Sequence, residues 1–230
     1  MKNISELEKR IGYSFKNKDI LKTALTHSSY ASEHNMSYEL NNERLEFIGD
    51  GYLDAIIGNK LYEIMKTSHE GTLSRNRADV VREESLADVA RGISLGDYLY
   101  LGKGEESNGG RNKNSILSDA FEALVGAVIS DGGFAKGKEM VLSLFENKIE
   151  LAVQGKLNKD YKSKLQEILQ DKYRSIKIVY SLVSESGPDH DKTFTVQVAM
   201  DGKVLGTGSG KSKAKAEQAA AQNVLSKGEF

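Results

Sequence analysis

ERLEFIGDGYLDAII, residues 43–57, is the stretch that decides how this chain reads. Its apolar residues recur at helical rather than alternating spacing, which predicts a helix. On a wheel of ~100° per residue, Glu43, Glu46, Asp50 and Asp54 fall within one arc of about 80°. Leu45, Ile48, Tyr52 and Ile56 cover the opposite side, and Phe47, Leu53 and Ile57 crowd the flanks of the acid arc. A helix that is apolar nearly all round is expected to be mostly buried. Carboxylates in such a setting carry a desolvation penalty unless a cation neutralises them.

A second stretch, ILSDAFEALVGAVIS (116–130), repeats the pattern. Its only charged residues are Asp119 and Glu122, three apart and therefore on one face. Neither helix carries a run of Lys or Arg to serve as partner. A divalent cation would serve, and an all-carboxylate set suits hard ions such as Mg²⁺ or Mn²⁺ rather than zinc. On one helix alone, such a row of acids also describes a solvated face. Two apolar helices that both cluster acids favour the metal reading, with Asp54 its weakest member. His27, His34 and His69 stand alone and read as structural or surface residues. Ser28 and Ser29 beside His27 do not read as a triad, because neighbours in sequence rarely present that geometry.

Outward from these helices, residues 4–152 form an all-helical domain, through segments such as ISELEKRIGY, ILKTALTHSSY and the two acid-bearing helices. The Gly- and Asn-rich run 102–115 punctuates it. Residues 153–159 read as a short polar linker. Within 160–229 the pattern changes. YKSKLQEILQDKY reads as an amphipathic helix, and IKIVYSLVSE and KTFTVQVAM as strands. Asp201-Gly202 is a hairpin turn before a third strand, KVLGTGSG. An Ala-rich helix follows, with Ser212 as its N-cap. The fold class is thus mostly α: an all-helical domain followed by a small α+β module of order α-β-β-β-α. In that module Lys211, Lys213 and Lys215 stand at the start of the last helix, after Gly206, Gly208 and Gly210, where free N–H groups and the helix dipole favour phosphate.

The 230 residues carry 32 Lys and Arg against 33 Asp and Glu. That near-zero net charge hides an asymmetry. Residues 156–230 hold 13 basic against 9 acidic groups, and the rest of the chain 19 against 24, so the front part is acidic and the tail basic. There is no cysteine, which excludes disulfide scaffolds, thiolate zinc sites and a thiol nucleophile, and is compatible with a cytoplasmic setting. No apolar run approaches the ~18 residues of a membrane span, so no membrane partner is expected. The N-terminus, MKNISELEKR, is charged where a signal peptide needs its apolar core.

Together these residues resemble the ribonuclease III family of bacteria. NERLEFIGD (42–50) is similar to the family signature, and THSSY (26–30), HEGTLSRNRA (69–78) and SILSDAFEALVGAV (115–128) extend the match. The tail resembles a double-stranded-RNA-binding domain through DYKSKLQE, GPDHDKTF and the GSGKSKAKAEQAAA helix start. The resemblance covers nearly the whole chain, with its signature core at about 4–134. It implies a Mg²⁺-dependent endonuclease that cuts both strands of duplex RNA. The family acts as a homodimer, without an organic cofactor, and leaves 5′-phosphate and 3′-hydroxyl ends. Processing of ribosomal RNA precursors and of structured mRNA and tRNA transcripts would follow. By motif position Glu46, Asp50, Asp119 and Glu122 match the metal carboxylates, and Asp50 and Glu122 the pair called catalytic. Glu43 and Glu70 match auxiliary acids near the cleavage site, and Phe47 an aromatic that plugs into the partner subunit. Gln166, Glu167 and His190 match RNA-facing residues. Two departures stand out. Gly51-Tyr52 replaces the usual Ala-Val after the signature, and Ala214 replaces the second of two adjacent lysines.

Two rivals come from other classes. A binding-only protein would be favoured by loss of a metal carboxylate, and all four are present. A helical Mg²⁺-dependent nucleotide pyrophosphohydrolase also pairs acids on helices, but it leaves the basic α-β-β-β-α module unexplained.

Overall fold

The structure, a computed structural model, describes residues 3–157, 161–173, 175–188 and 192–228. The chain divides into two compact units, Met1–Leu157 and Asn158–Phe230. Helices α1 (Ile4–Ile11), α2 (Lys18–Ala24), α3 (Ser28–Glu33), α4 (Glu43–Ile64), α5 (Glu70–Val81) and α6 (Glu83–Gly92) open the first unit. Helices α7 (Lys103–Ser107), α8 (Asn114–Gly132) and α9 (Phe134–Val153) complete it.

Helix α8 is the hub. Its residues from Ile116 to Ile129 are buried apart from Asp119 and Glu122, because α2, α4, α6 and α9 surround it. Phe121 and Phe145 of α9 meet in a tilted pair at 5.6 Å between ring centroids. Leu157, four residues past α9, still packs on this core.

Three local readings gain detail. The helical stretch ILKTALTHSSY holds two helices: α2 ends at Ala24, and His27 caps α3 by accepting the Ser29 N–H. The run 102–115 is more than punctuation, since it contains α7 and a 3-10 turn at Gly110–Asn112. Helix α4 is fully buried only from Gly49 onward and on one side; in its first turns Leu45 packs partly against the core, while Phe47 and Ile48 are exposed.

The second unit runs α10 (Tyr161–Tyr173), β1 (Ile178–Ser186), β2 (Thr193–Met200), β3 (Lys203–Gly210) and α11 (Lys213–Lys227). The strands form an antiparallel sheet in the order β1-β2-β3, with register shifts between Leu182 and Ser184 and between Val198 and Ala199. Asp201 and Gly202 both take positive φ, 48° and 86°, as a two-residue hairpin turn of the primed type requires. Leu165 and Leu169 of α10, Val198 of β2 and Ala220, Ala221 and Val224 of α11 make the core. The glycines of β3 belong to this packing. A Cβ on Gly208 would sit 2.1 Å from the Ala220 backbone N, and one on Gly210 2.8 Å from that of Ala216. They let α11 lie directly on the strand.

Candidate functional site

The site begins with two backbones that touch. A Cβ on Gly49 of α4 would lie 1.9 Å from the backbone oxygen of Glu122, and one on Gly126 of α8 2.2 Å from that of Leu45. Only glycine permits this approach. It brings the acid arc of α4 against the acid pair of α8. Carboxylate oxygens of Glu46, Asp119 and Glu122 lie within 4.8 Å of one another, each residue half-buried. Asp50, one turn beyond Glu46, is exposed and stands outside that trio.

The electrostatics follow from the geometry. Burial, then the charges of Asp50, Asp119, Glu46 and Asp54, push the Glu122 carboxyl up to about 8. Burial first, and then Asp119, Glu43 and Asp50, raise Glu46. Burial raises Asp119 as well, against a lowering by the Ser118 hydroxyl and by His27. Among the described residues, the charges acting on Glu46 and Glu122 are those of other carboxylates. Such a set is a poor structural motif and a good one for a hard divalent cation, which would relieve the repulsion. The donor set therefore fits a divalent metal ion.

The start of α4 is anchored by buried polar groups. Asn42 donates its N–H to the Thr26 carbonyl at 2.8 Å, and its own carbonyl accepts the Glu46 N–H at 2.9 Å. Asn41 Oδ1 accepts the Glu43 N–H. Thr26, Asn41 and Asn42 are all buried. Next to Thr26, the Ser29 hydroxyl bonds His27 Nδ1 at 2.8 Å and accepts the Gly102 N–H at 3.0 Å. The pair His27–Ser29 is close after all. It is used to cap α3 and fasten it to the 100–102 segment.

The other predicted residues take several positions. Glu43 accepts a hydrogen bond from the Tyr38 hydroxyl, which raises that phenol. Glu70 begins α5 and accepts from the Ser74 hydroxyl at 2.7 Å. Asp54 is ion-paired with Arg77, Nε to Oδ1 at 3.8 Å. Phe47 is 83% exposed. It borders a groove of about 790 Å³ lined by Ile20, Tyr38, Arg44, Leu45 and Ile48.

In the second unit, Gln166 and Glu167 are exposed on α10. Lys211 reaches the Thr193 hydroxyl at 3.3 Å, one residue before the N-cap, where Ser212 accepts the Lys215 N–H. Lys213 and Lys215 are exposed in the first turn of α11. His190 lies outside the described residues. Sequence reading passed over Arg77, although Glu70, Ser74 and Arg77 recur at i, i+4 and i+7. It also passed over the asparagine pair, whose signal was two amide residues immediately before an acid-bearing helix.

A ribonuclease-III-like family matches residues 17–149, and a double-stranded RNA binding motif matches residues 161–227. The chain belongs to the ribonuclease III family. Among its relatives, Ribonuclease 3 of Caldanaerobacter subterraneus subsp. tengcongensis is 49% identical over 97% of each chain. Ribonuclease 3 of Streptococcus pneumoniae (strain P1031) is 46% identical over 96% of this chain and 95% of its own. Among solved structures, the nuclease domain of ribonuclease III from Campylobacter jejuni, described for flexibility in a region involved in dimer formation, aligns with a TM-score of 0.59 at 43% identity. It covers 64% of this chain and 98% of that one. As a ribonuclease III, this chain is an endoribonuclease with a C-terminal double-stranded-RNA-binding motif. No described helix is long and apolar enough to cross a membrane.

Proposed function

We propose that this ribonuclease III hydrolyses both strands of duplex RNA with Mg²⁺, leaving 5′-phosphate and 3′-hydroxyl ends. Glu46, Asp50, Asp119 and Glu122 hold the cation, with Asp50 and Glu122 as the central pair. The observation that carries this reading is the convergence of Glu46, Asp119 and Glu122 within 4.8 Å, half-buried, with Glu122 surrounded by the charges of other carboxylates. A cation held there would supply a water deprotonated near neutral pH and charge relief on the leaving oxygen. Holding a cation would require Glu122 ionised, and burial together with the neighbouring carboxylates raises its affinity for the proton. Glu43 and Glu70 contribute from the margin through water or RNA contacts.

The basic module supplies affinity. Gln166, Glu167 and His190 face the shallow groove, and Lys211, Lys213 and Lys215 take phosphates, since A-form RNA is read by shape, 2′-hydroxyls and backbone. The active form is a homodimer in which Phe47 enters the partner. Its exposure in the single chain and the adjoining groove support that. Two sites about a two-fold axis match the two antiparallel strands. The substrates are ribosomal RNA precursors and other structured mRNA and tRNA transcripts in the cytoplasm.

Incubation with duplex RNA, single-stranded RNA or nucleoside triphosphates, each with Mg²⁺ or with EDTA, tests the reading. Cutting is expected of the duplex with Mg²⁺ only. Binding without cutting, or turnover of the triphosphates instead, overturns it.

A further inference from the structure

Arg77 is a cation that the proposed reaction leaves without a task. It lies on α5, where Glu70, Ser74 and Arg77 share one face. Of these, Arg77 reaches α4. The Arg77 stem runs over Gly58, where a Cβ would meet its Cδ at 3.4 Å, and the guanidinium arrives beside Asp54. The pair is loose. Nε and Oδ1 are 3.8 Å apart, beyond hydrogen-bond reach, and the side chains are 44% and 41% exposed. Ion pairs of that kind contribute little to stability, so exchanging one for another costs little.

Its position gives the pair meaning. Asp54 lies one turn beyond Asp50 on α4, on the same arc as Glu43 and Glu46. Arg77 therefore stands at the far end of the acid row that begins with Glu43 and Glu46. A site built of carboxylates repels an RNA backbone, and the cation it holds offsets only part of that charge. A guanidinium offers a planar fork that matches phosphate oxygens, and it stays protonated beside any number of acids.

We infer that Arg77 exchanges Asp54 for a phosphate of the RNA strand at the Glu46–Asp119–Glu122 site and orients that strand for cutting. The exchange moves no proton and breaks no covalent bond. Asp54 is the resting partner that holds the guanidinium at the edge of the site until RNA arrives. The inference rests on the function proposed above.

The test uses the full-length protein. Single-turnover cutting of one defined RNA duplex at saturating protein compares wild type with Arg77→Gln and Arg77→Lys. Duplex binding over a range of salt compares Glu122→Gln with the double variant Glu122→Gln/Arg77→Gln in Mg²⁺. Arg77→Gln is expected to slow cutting by tenfold or more, the scale on which loss of one preorganised charge-stabilising donor acts (about 10²–10³ at most). Arg77→Lys, which keeps charge without the fork, should fall between. The binding slope, log Kobs against log salt, should flatten by about 0.9 for each phosphate that is no longer neutralised. An unchanged rate and slope in Arg77→Gln overturns the inference. So does a slowed rate with an unchanged slope and a lowered thermal midpoint, since Arg77 would then only brace α5 on α4. Cutting by Glu122→Gln itself would mark a failure of the metal-site reading instead.

Discussion

Glu122 is half-buried among acids, and its carboxyl is pushed up to about 8 from an ordinary 4.5. Between those values the folded chain keeps a proton that the unfolded chain has lost. Stability without metal therefore falls as pH rises through that window. In EDTA, Glu122→Gln should remove much of this slope. The variant should melt above wild type at pH 8, by roughly 2–4 °C per kcal/mol of repulsion relieved. The two should converge below about pH 4.5, where both states hold the proton. Saturating Mg²⁺ should flatten the wild-type slope. Calorimetry across pH checks this, and a wild-type midpoint that rises from pH 5 to 8 in EDTA contradicts it. The same substitution should abolish cutting and leave duplex binding largely intact, because the double-stranded-RNA-binding motif lies in the other unit. Near-normal turnover at ordinary Mg²⁺ would remove Glu122 from the metal site.

At the scale of elements, the site depends on how closely α4 and α8 cross. Gly49→Ala would drive a methyl group into the Glu122 carbonyl, 1.9 Å away. Overpacking of this kind costs about 1–3 kcal/mol, and more where backbone must move. The expected outcome is a destabilised chain that cuts at least tenfold more slowly, because a shift of about 1 Å in reacting groups can cost about 10² in rate. Urea unfolding and cleavage assays on the same preparation check it; wild-type values in both would mean that the helices have room to part. In the second unit, Ala214 leaves Lys211, Lys213 and Lys215 on alternate positions, before and within the first turn of α11. Lys211→Ala with Lys213→Ala should weaken binding similarly across unrelated duplexes and flatten its salt dependence. If one sequence lost binding while others kept it, recognition by shape and phosphate would be the wrong description.

For the whole molecule, Phe47 at 83% exposure does not pack within its own unit. Tyr38 and Ile48, which line the same groove, are exposed as well. Burying one such side chain yields roughly 1.5–3 kcal/mol, and a two-fold contact uses it twice. Light scattering should give a stable dimer of about twice 25.3 kDa without RNA. Phe47→Asp should give monomers, since it places a charge at the seam. A wild-type monomer at micromolar concentration that still makes staggered double cuts would refute the arrangement. Residues 1–155 alone should cut at low salt and fail near physiological salt, because the basic unit supplies phosphate contacts whose strength falls steeply with salt.

Periodicity and residue type were enough to reveal α4, α8, the three strands, the Asp201–Gly202 turn and the Ser212 cap. Each is a local preference, legible wherever neighbours in sequence settle the conformation. The acids that converge, Glu46, Asp119 and Glu122, were legible for a related reason, since charge on an apolar helix is conspicuous without any knowledge of fold. What surrounds them was not. That α4 exposes Ile48 and Phe47 depends on which side α8 occupies. That Gly206, Gly208 and Gly210 make room for α11 depends on a strand and a helix meeting. His27 capping α3 and Asn42 bridging Thr26 to Glu46 join segments 15 or more residues apart or divide one helical stretch in two. Arg77 shared a helical face with Glu70 in the sequence, but only the crossing of α5 over Gly58 brought it to Asp54. Spacing along one helix states which residues are neighbours on it; which helix they meet is decided by burial of apolar faces that lie far apart in the chain.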